Sequence, residues 1–399
     1  MRYKMLEDLK LDVSNHPSWE EVEKKFENQT LNITSELCEN EAVASFIRHA
    51  TIRLHDGYRV IDSHTFISIM TGIYVVIFIL GTIGNFLTVA VIYKTPNLHS
   101  HTNYFLCSLA CSDFLLVLVG VPSDLVVMWQ PLRPPSFVGY CKLHSILISW
   151  FTNVSILTIT SLTAERFIAI CYPLHLRSYF NKPRVINFIK IIWILAIFPS
   201  ALIGVQFEKT RHTDMCGNNY PEYGGLCSVP LSSAIPYSSE AMLILMFIIP
   251  MIFNLVCYLK IYQVLQEMAV VTTVHSPVTT CSSDSSTGIL YIHTHKSAPH
   301  KSQQAQSMII RMLMVISGVF FLCYFPFHVQ RLIIHYNKEY CGSSELCWML
   351  YPIAGVLQYI SASLNPFFYN LMSLRFRIAL KYWLRQMLIS KRYIRVVRV

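Results

Sequence analysis

Seven apolar segments constrain the fold of this chain more than any other feature of its sequence. Most of them exceed the roughly 20 residues with which an α-helix crosses the hydrocarbon core of a bilayer. Backbone N–H and C=O groups find no water inside a bilayer, so each segment is expected to form a helix. We therefore predict an all-α membrane protein with a bundle of seven transmembrane helices. The predicted spans cover residues 66–93, 102–130, 137–171, 183–205, 237–266, 305–336 and 346–371.

The composition agrees with a membrane protein. Of 399 residues, 53% are hydrophobic and only 14% are charged, whereas a soluble domain carries about a quarter charged residues. The formal charge of +9 does not indicate nucleic-acid binding, because the basic residues lie between and after the apolar segments instead of in one patch. We expect the lipid bilayer, and no nucleic acid, as a partner.

The distribution of Lys and Arg predicts the orientation in the membrane. Basic residues lie in the first, third and fifth connections and in the C-terminal tail, and such an excess marks the cytoplasmic side. The N-terminus is then extracellular, the C-terminus is cytoplasmic, and the expected location is the plasma membrane. Residues 1–65 carry glycosylation motifs at Asn28 and Asn32 and are predicted to be glycosylated and largely disordered. No cleavable signal peptide is visible, so the first span is expected to direct export.

Two segments are predicted to be cytoplasmic and not to span the membrane, one within the bundle of residues 66–371 and one after it. Residues 267–304 contain TTVHSPVTTCSSDSSTG and are predicted to be a flexible connection. Residues 372–399 are predicted to form an amphipathic helix and a basic tail. In that helix Phe376, Leu380, Trp383, Leu384 and Leu388 share one face opposite basic residues, which is typical of a helix lying on the inner leaflet.

Half of the twelve cysteines map to the predicted outer side of the membrane, which is an oxidising compartment. We expect Cys141, at the outer end of helix three, to form a disulfide with a cysteine of the long outer loop 206–236. Cys227 is the first candidate and Cys216 is the alternative. The other three outer cysteines, whose pairing is left open, are Cys38, Cys341 and Cys347.

Helix three carries polar residues on one face. Ser155 and Arg166 are eleven residues apart, so they lie within roughly 20° of the same direction. Polar groups of a spanning helix are expected to face the bundle interior. Glu165 beside Arg166 forms a candidate latch whose opening frees the arginine. The alternative is that Arg166 is a snorkelling charge that only sets orientation.

A series of short motifs follows in order along the chain. They are Gly84-Asn85, Leu109-Ala110-Cys111-Ser112-Asp113, Glu165-Arg166-Phe167, Trp193, Pro250 with Tyr258, Phe320-Phe321-Leu322-Cys323-Tyr324-Phe325-Pro326, and Asn365-Pro366-Phe367-Phe368-Tyr369. By their joint order and spacing, residues 66–388 resemble the rhodopsin-like, or class A, G-protein-coupled receptors. Two residues depart from the family pattern: Phe167 replaces a tyrosine, and Tyr324 stands where most members have a tryptophan, which alters the presumed activation toggle.

The resemblance implies a two-state bundle. A polar cluster of Asn85, Asp113, Ser155 and Asn365 would hold a sodium ion in the resting state, the only metal and the only cofactor expected. The alternative is a neutral Asp113 that serves packing. In the active state, helix six would bend at Pro326 and swing outward, and a heterotrimeric G protein, or arrestin, would enter the inner crevice. The residues implied in activation and coupling are Glu165, Arg166, Tyr258, Phe320, Tyr324, Pro326, Asn365, Pro366 and Tyr369.

Asp124 is the main candidate for ligand binding. It lies eleven residues beyond Asp113 on nearly the same face of helix two, about three turns nearer the outside. There it is placed to meet a cationic ligand group. The residues expected to complete a large polar and aromatic pocket are Trp129, His328, Arg331 and Tyr359. An Asp124–Arg331 ion pair across the pocket is the alternative.

The residues of helix three argue against an amine ligand, since Ile148 and Ser149 stand where amine receptors carry an acid. The segments LTITSLTAERFIAICYPL, CYFPFHVQRL and LNPFFYNLMSLRFR are most similar to neuromedin U receptors and to invertebrate pyrokinin and CAPA-type receptors. This resemblance implies an amidated peptide ligand whose arginine meets Asp124 and whose C-terminal end meets Arg331. Relatives often carry an acid at the position of Ser149, so the precise peptide stays open.

Other classes of function fit the sequence less well. A receptor for another peptide or for a small molecule is the nearest alternative. A transporter would need discontinuous helices, an inverted repeat or charges along a path, and no repeat relates the two halves. No HExxH, GxSxG or phosphate-loop motif indicates an enzyme.

Overall fold

The structure, a computed structural model, describes most of the bundle and the helix that follows it. The described residues are 64–129, 138–173, 181–210, 226–230, 235–274, 299–336 and 345–396. They form eight long helices and one short hairpin. The helices are α1 (His64–Lys94), α2 (His101–Trp129), α3 (Tyr140–Cys171), α4 (Lys182–Leu195, continued by Ile197–Gly204), α5 (Ser238–Leu243, a π turn at Ile244–Ile248, and Ile249–Val274), α6 (Pro299–Tyr336), α7 (Glu345–Met372) and α8 (Leu374–Val396).

Helices α1–α7 coincide with the seven predicted segments, and the predicted all-α bundle is confirmed. By length and hydropathy, six helices in the described part of the chain qualify as membrane spans, and they are α1–α6. Helix α7 has 28 residues but does not reach the same hydropathy, because it carries Gln358, Ser361 and Asn365. These three side chains are buried in the bundle, so they face other helices and not lipid.

Two helices extend into the predicted flexible connection 267–304. Helix α5 continues to Val274 and helix α6 begins at Pro299, so both ends of the predicted connection are helical. Residues 275–298 lie outside the described part of the chain, as do residues 1–63 with the glycosylation motifs of Asn28 and Asn32.

The core lies in two clusters along the bundle. The outer cluster joins α1, α2, α3 and α7 through Tyr74, Leu116, Phe151 and Tyr359, among others. The inner cluster contains residues of all eight helices. Its largest fully buried side chains include Tyr324, Tyr369, Phe105, Phe247 and Leu109. Since lipid is as apolar as these side chains, close packing and not exclusion from water holds the helices together.

Glycines permit the closest helix contacts. A Cβ atom at Gly204 of α4 would lie 2.7 Å from the backbone nitrogen of Ile146 and 2.9 Å from its Cα atom in α3. A Cβ atom at Gly84 of α1 would lie 3.1 Å from the ring of Pro366 in α7. Small residues at such crossings allow two helix backbones to approach each other.

Helix α5 is interrupted by a π turn immediately before Pro250. The N–H of Ile249 donates to the carbonyl of Ile244, five residues earlier, as in a π-helix. Pro250 has no N–H and its ring crowds the preceding turn, which accounts for the wider turn at this position. Beyond it, the regular helix places Tyr258 in the bundle interior.

Helix α8 uses its apolar residues differently from the prediction. Phe376, Leu380 and Trp383 pack against the inner core of the bundle instead of facing lipid. Leu384 is exposed, and the side chain of Leu388 is not described. The face turned away from the bundle mixes exposed apolar and basic residues, which are Leu374, Arg375, Arg377, Ile378, Lys381, Tyr382 and Arg385. This mixed face is the one available to an anionic membrane surface.

We expect Gly204→Ala to destabilise the protein. The new methyl group would meet the backbone of Ile146, which cannot rotate away, and overpacking of this kind costs about 1–3 kcal/mol. Thermal unfolding of the detergent-solubilised protein measures the effect. Gly72→Ala in α1 is the matched control, since a Cβ atom there meets nothing within 4 Å. Equal unfolding temperatures for both variants would contradict the close α3–α4 contact.

Candidate ligand and signalling sites

Asp124 lies at the outer end of α2 and is bound by tyrosines of α7. Its Oδ2 atom accepts a hydrogen bond of 3.0 Å from the hydroxyl of Tyr359, and its Oδ1 atom accepts one of 3.5 Å from Tyr351. The ring of Tyr74 in α1 packs edge-on against Tyr359 at 6.0 Å. The carboxylate therefore accepts hydrogen bonds from neutral hydroxyl groups and is bordered by aromatic rings, which we call its aromatic rim.

Gly355 of α7 makes room for this arrangement. A Cβ atom at this position would lie 2.8 Å from the hydroxyl of Tyr74 and 3.1 Å from Oδ2 of Asp124. The glycine therefore lets α1 and α2 bring two polar groups against the backbone of α7. Tyr74 also donates to the carbonyl of Pro352 at 3.3 Å.

The alternative ion pair between Asp124 and Arg331 is not formed. Among the described residues, the ion pairs within 4.0 Å do not include these two side chains. The guanidinium group of Arg331 lies instead 4.7 Å from the ring centre of Phe327, one turn earlier on α6. Asp124 is thus hydrogen-bonded to tyrosine hydroxyls, and Arg331 lies against an aromatic ring. The two charges do not pair with each other.

Two predicted pocket residues lie apart from Asp124. Trp129 is 54% exposed and donates from its indole nitrogen to Thr71 of α1 at 3.0 Å, so it faces α1. His328 is buried, and its ring packs 4.7 Å from that of Phe247 in α5. Of the predicted ligand residues, the structure therefore joins Asp124 directly only to Tyr359.

Sequence analysis missed Tyr74 and Tyr351, as well as a contact between α2 and α3. Ser123, next to Asp124, is hydrogen-bonded to Nε2 of His144 at 2.6 Å, and Tyr140 stacks on that histidine at 5.5 Å. Tyrosines and histidines near the outer ends of several helices were visible in the sequence. Their positions alone do not show which of these side chains contact one another.

The outer loop is fastened to α3 at two points. Cys141 and Cys227 form a disulfide with their Cα atoms 5.4 Å apart. Lys142 forms an ion pair of 3.3 Å with Glu208. Cys227 belongs to strand β2 (Leu226–Ser228), which pairs antiparallel with β1 (Glu208–Thr210). The two strands are thus held over the outer end of α3.

The alternative partner Cys216 lies outside the described residues, as do Cys38 and Cys341, and the side chain of Cys347 is not described.

Asp113 is the centre of the polar cluster in the middle of the bundle. It is 2% exposed and accepts hydrogen bonds from Ser155 at 2.8 Å and from Asn365 at 2.6 Å. Asn85 does not bind Asp113 directly: its amide nitrogen donates to the carbonyls of Gly81 and Ala362. The cluster therefore connects α2, α3 and α7, and Asn85 attaches α1 to α7 beside it.

Tyr324 occupies the position of the presumed toggle in α6. Its ring is fully buried and stacks on Phe320 at 4.1 Å. Its hydroxyl interacts with Thr152 of α3 and Gln358 of α7, which are themselves hydrogen-bonded at 2.9 Å. The hydroxyl of Tyr324 thus connects α6 to two other helices at the level just below the outer site.

At the inner end of α3, Arg166 is held by its neighbour Glu165. The guanidinium group donates to both carboxylate oxygens, at 2.6 Å and 2.8 Å, and also contacts Thr102 of α2. Such bidentate pairs are among the stronger side-chain interactions. Only 17% of the Arg166 side chain is exposed, so it does not project freely from the inner end of the bundle. The charge pair that was predicted as a candidate latch is thus formed in this structure.

Tyr258 and Tyr369 do not meet Arg166 in this arrangement. The hydroxyl of Tyr258 lies between Thr163 of α3 and Ser317 of α6, at 3.0 Å and 3.2 Å. Tyr369 is buried, and its hydroxyl has no hydrogen-bond partner among the described residues. Among the described contacts, Arg166, Tyr258 and Tyr369 are therefore not hydrogen-bonded to one another.

Comparison with known proteins gives one family and a consistent set of relatives. The sequence model of the family described as "7 transmembrane receptor (rhodopsin family)" matches residues 84–369. The chain is 32% identical over 352 residues to pyrokinin-1 receptor of Drosophila melanogaster, which covers 78% of each protein. It is 28% identical over 306 residues to human neuromedin-U receptor 1, covering 76% of the chain and 70% of the relative. It is 30% identical over 322 residues to mouse growth hormone secretagogue receptor type 1, covering 78% and 79%.

We expect Cys227→Ala to lower the stability of the protein by about 2–5 kcal/mol, because the disulfide closes a separation of 86 residues in sequence. Thermal unfolding under non-reducing conditions measures the loss. Cys216→Ala is the matched comparison, because Cys216 is the alternative partner that the sequence offers for Cys141. The reverse pattern would assign the disulfide to Cys216.

Proposed function

This chain belongs to the rhodopsin family of seven-transmembrane receptors, and from that premise we propose that it is a plasma-membrane receptor for an amidated, arginine-containing neuropeptide. Membership of this family makes the chain a receptor and not an enzyme or a transporter. Relatives named as pyrokinin and neuromedin-U receptors support a peptide ligand. The single observation that carries the proposal is the aromatic-rimmed carboxylate of Asp124 at the outer end of the bundle.

The chemistry around Asp124 favours a guanidinium group as its ligand partner. A planar guanidinium forms bidentate hydrogen bonds with a carboxylate and also stacks on aromatic rings. Tyr351 and Tyr359 supply the rings. Their hydroxyls donate hydrogen bonds to Asp124, and a cationic group of the ligand would displace them. No ion pair between Asp124 and another described residue has to be broken first.

The remaining predicted ligand residues would contact other parts of the peptide. Arg331 lies over Phe327 on α6, and its charge suits the carbonyl oxygens of an amidated C-terminus. Trp129 and His328 would contact flanking side chains, since neither converges on Asp124. The similarity to growth hormone secretagogue receptor type 1 supports a different peptide as the second candidate ligand.

The contacts below the outer site suggest how binding is transmitted. Tyr359 binds Asp124, and one residue before it on α7 Gln358 contacts Thr152 and Tyr324. A ligand that moves α7 thereby disturbs the partners of Tyr324 and its stacking on Phe320. A shift toward the active state requires that the ligand bind that state more tightly than the resting one.

At the inner side, activation would open the latch of Glu165 and Arg166. Outward movement of α6, hinged at Pro326, would separate Ser317 from Tyr258 and let Arg166, Tyr258 and Tyr369 line a crevice for a heterotrimeric G protein or arrestin. Asn365 and Pro366 would transmit the change through α7. In the resting state, the oxygen atoms of Asp113 and Ser155 suit a sodium ion, since hard cations prefer oxygen ligands.

The proposed activity is tested with purified receptor in lipid particles together with a G protein. GDP release that depends on a synthetic amidated pyrokinin-type or neuromedin-type peptide supports the proposal. Failure of a broad set of amidated, arginine-containing peptides, together with a response to a ligand without a cationic group, would overturn it.

We expect Asp124→Ala to weaken peptide potency by about 30-fold or more with surface expression preserved. Loss of one partner of a desolvated charge pair costs about 2–5 kcal/mol, and each 1.4 kcal/mol is a factor of ten. Dose–response curves in cells measure the shift. Glu208→Ala is the matched control, because Glu208 is an acidic residue of the outer loop that binds Lys142. A normal curve for Asp124→Ala would remove this residue from the ligand site.

We expect Arg166→Ala to abolish G-protein activation while the peptide still binds. The substitution removes the cation that would line the inner crevice, far from the outer site. Radioligand binding and GDP release on the same preparation separate the two effects. Arg184→Ala, at the inner end of α4, serves as the control for loss of an inner positive charge. Signalling of normal strength by Arg166→Ala would show that the crevice is wrongly placed.

A further inference from the structure

The outermost turns of α2 make contacts on two sides. On the side of α7, Gly120 leaves room for the ring of Tyr359, since a Cβ atom at Gly120 would lie 2.6 Å from Cε1 of that ring. On the side of α3, Ser123 is hydrogen-bonded to Nε2 of His144 at 2.6 Å. The next residue, Asp124, accepts its hydrogen bonds from α7. His144 of α3 therefore lies close to the depth of the carboxylate.

The hydrogen bonds of Ser123 fix the ring of His144. A hydroxyl group has one proton to donate. The oxygen of Ser123 lies 2.7 Å from the carbonyl oxygen of Gly120, which can only accept, and 2.6 Å from Nε2 of His144. Ser123 therefore donates to Gly120, and Nε2 of His144 donates to Ser123. The imidazole ring is thereby held at one edge.

Tyr140, one turn earlier on α3, stacks on this ring. The two ring centres are 5.5 Å apart and the ring planes differ by 23°, an offset arrangement that aromatic pairs prefer. The next residue, Cys141, forms the disulfide with Cys227 of β2, so the beginning of α3 is also fixed by the outer hairpin. The side chain of Tyr140 is thus positioned by His144, and its backbone by the adjacent disulfide.

The hydroxyl end of Tyr140 lies near the Asp124 site. It is close enough to interact electrostatically with the carboxylate of Asp124 and with the hydroxyl of Tyr351. Tyr74 and Tyr359 are buried, at 1% and 2% exposure. Tyr351 is 45% exposed, and Tyr140 is partly exposed. A ligand that approaches Asp124 from outside therefore meets Tyr351 on the side of α7 and Tyr140 on the side of α3.

We propose that Tyr140 is a further ligand-binding residue, whose ring stacks on the guanidinium group that Asp124 binds, and that His144 is its positioning residue. The guanidinium group then lies between Tyr140 and Tyr351. A planar guanidinium stacks on aromatic rings, whereas the ammonium group of lysine is compact and strongly hydrated. The arrangement therefore selects arginine over lysine at this position of the peptide. This inference rests on the proposed function and deepens it, because it names residues that determine specificity.

The test is competition binding to the full-length receptor in lipid particles. The probes are a synthetic amidated neuromedin-type peptide and its analogue with lysine in place of arginine. We expect Tyr140→Leu to weaken binding of the arginine peptide by about 3- to 30-fold and to reduce the preference for arginine over lysine. Tyr140→Phe keeps the ring and is expected to rescue most of that preference. Tyr237→Leu is the matched control, because it removes a 75% exposed tyrosine at the outer end of α5.

The positioning role of His144 is tested with a double variant. His144→Leu removes both the stacking and the hydrogen bond to Ser123, and it is expected to weaken the arginine peptide by less than Tyr140→Leu does. If His144 acts through Tyr140, the double variant binds no more weakly than Tyr140→Leu alone. Losses that add up would overturn the positioning role, since independent sites are additive. If Tyr140→Leu does not reach the cell surface, His144→Leu decides by the same preference for arginine over lysine.

The outcomes separate this inference from the proposed function. If the arginine peptide binds and depends on Asp124, but a normally expressed Tyr140→Leu variant keeps its affinity, Tyr140 is not part of the site. Equal losses for the arginine and lysine peptides would also overturn the inference, because they would reflect folding and not recognition. If no amidated, arginine-containing peptide binds the unchanged receptor, the proposed function fails, and the role of Tyr140 fails with it.

Discussion

The hydrogen bonds that Asp113 accepts from Ser155 and Asn365 are the interaction on which the rest of the bundle depends. A carboxylate in the middle of a bilayer has to find its partners within the protein, because lipid supplies none. These two bonds join α2 to α3 and α7, and Asn85 attaches α1 to the backbone of α7 alongside. The four helices that carry the outer site are thereby fixed relative to one another.

Besides the cluster of Asp113, polar contacts recur at three other places along this bundle, and each has a different character. At the outer end the carboxylate of Asp124 accepts hydrogen bonds from the neutral hydroxyls of Tyr351 and Tyr359. Below it, Tyr324 is shared between α3 and α7. At the inner end a charge pair is closed within α3 and braced by Thr102. The cluster of Asp113, Ser155 and Asn365 lies in the middle of the bundle, between the outer and inner levels.

The sequence was sufficient for the helices and for the residues that face the bundle, but not for the partners of those residues. Apolar segments predicted α1–α7, whereas the grouping of Asp113 with Ser155 and Asn365 came from the family resemblance and not from helical spacing. The same spacing could not show that Trp129 turns to α1. That orientation depends on Thr71, a residue of another helix. Helix α8 differed for the same reason: its apolar face was visible in the sequence, but the bundle, and not lipid, covers most of it.

The π turn of α5 gives the two halves of that helix a fixed offset in phase. One additional residue in the turn at Ile244–Ile248 rotates everything beyond Pro250 relative to the half before it. The faces of the two halves therefore cannot be read with a single 3.6-residue count, and residues on either side of Pro250 have to be assigned to the bundle or to lipid separately.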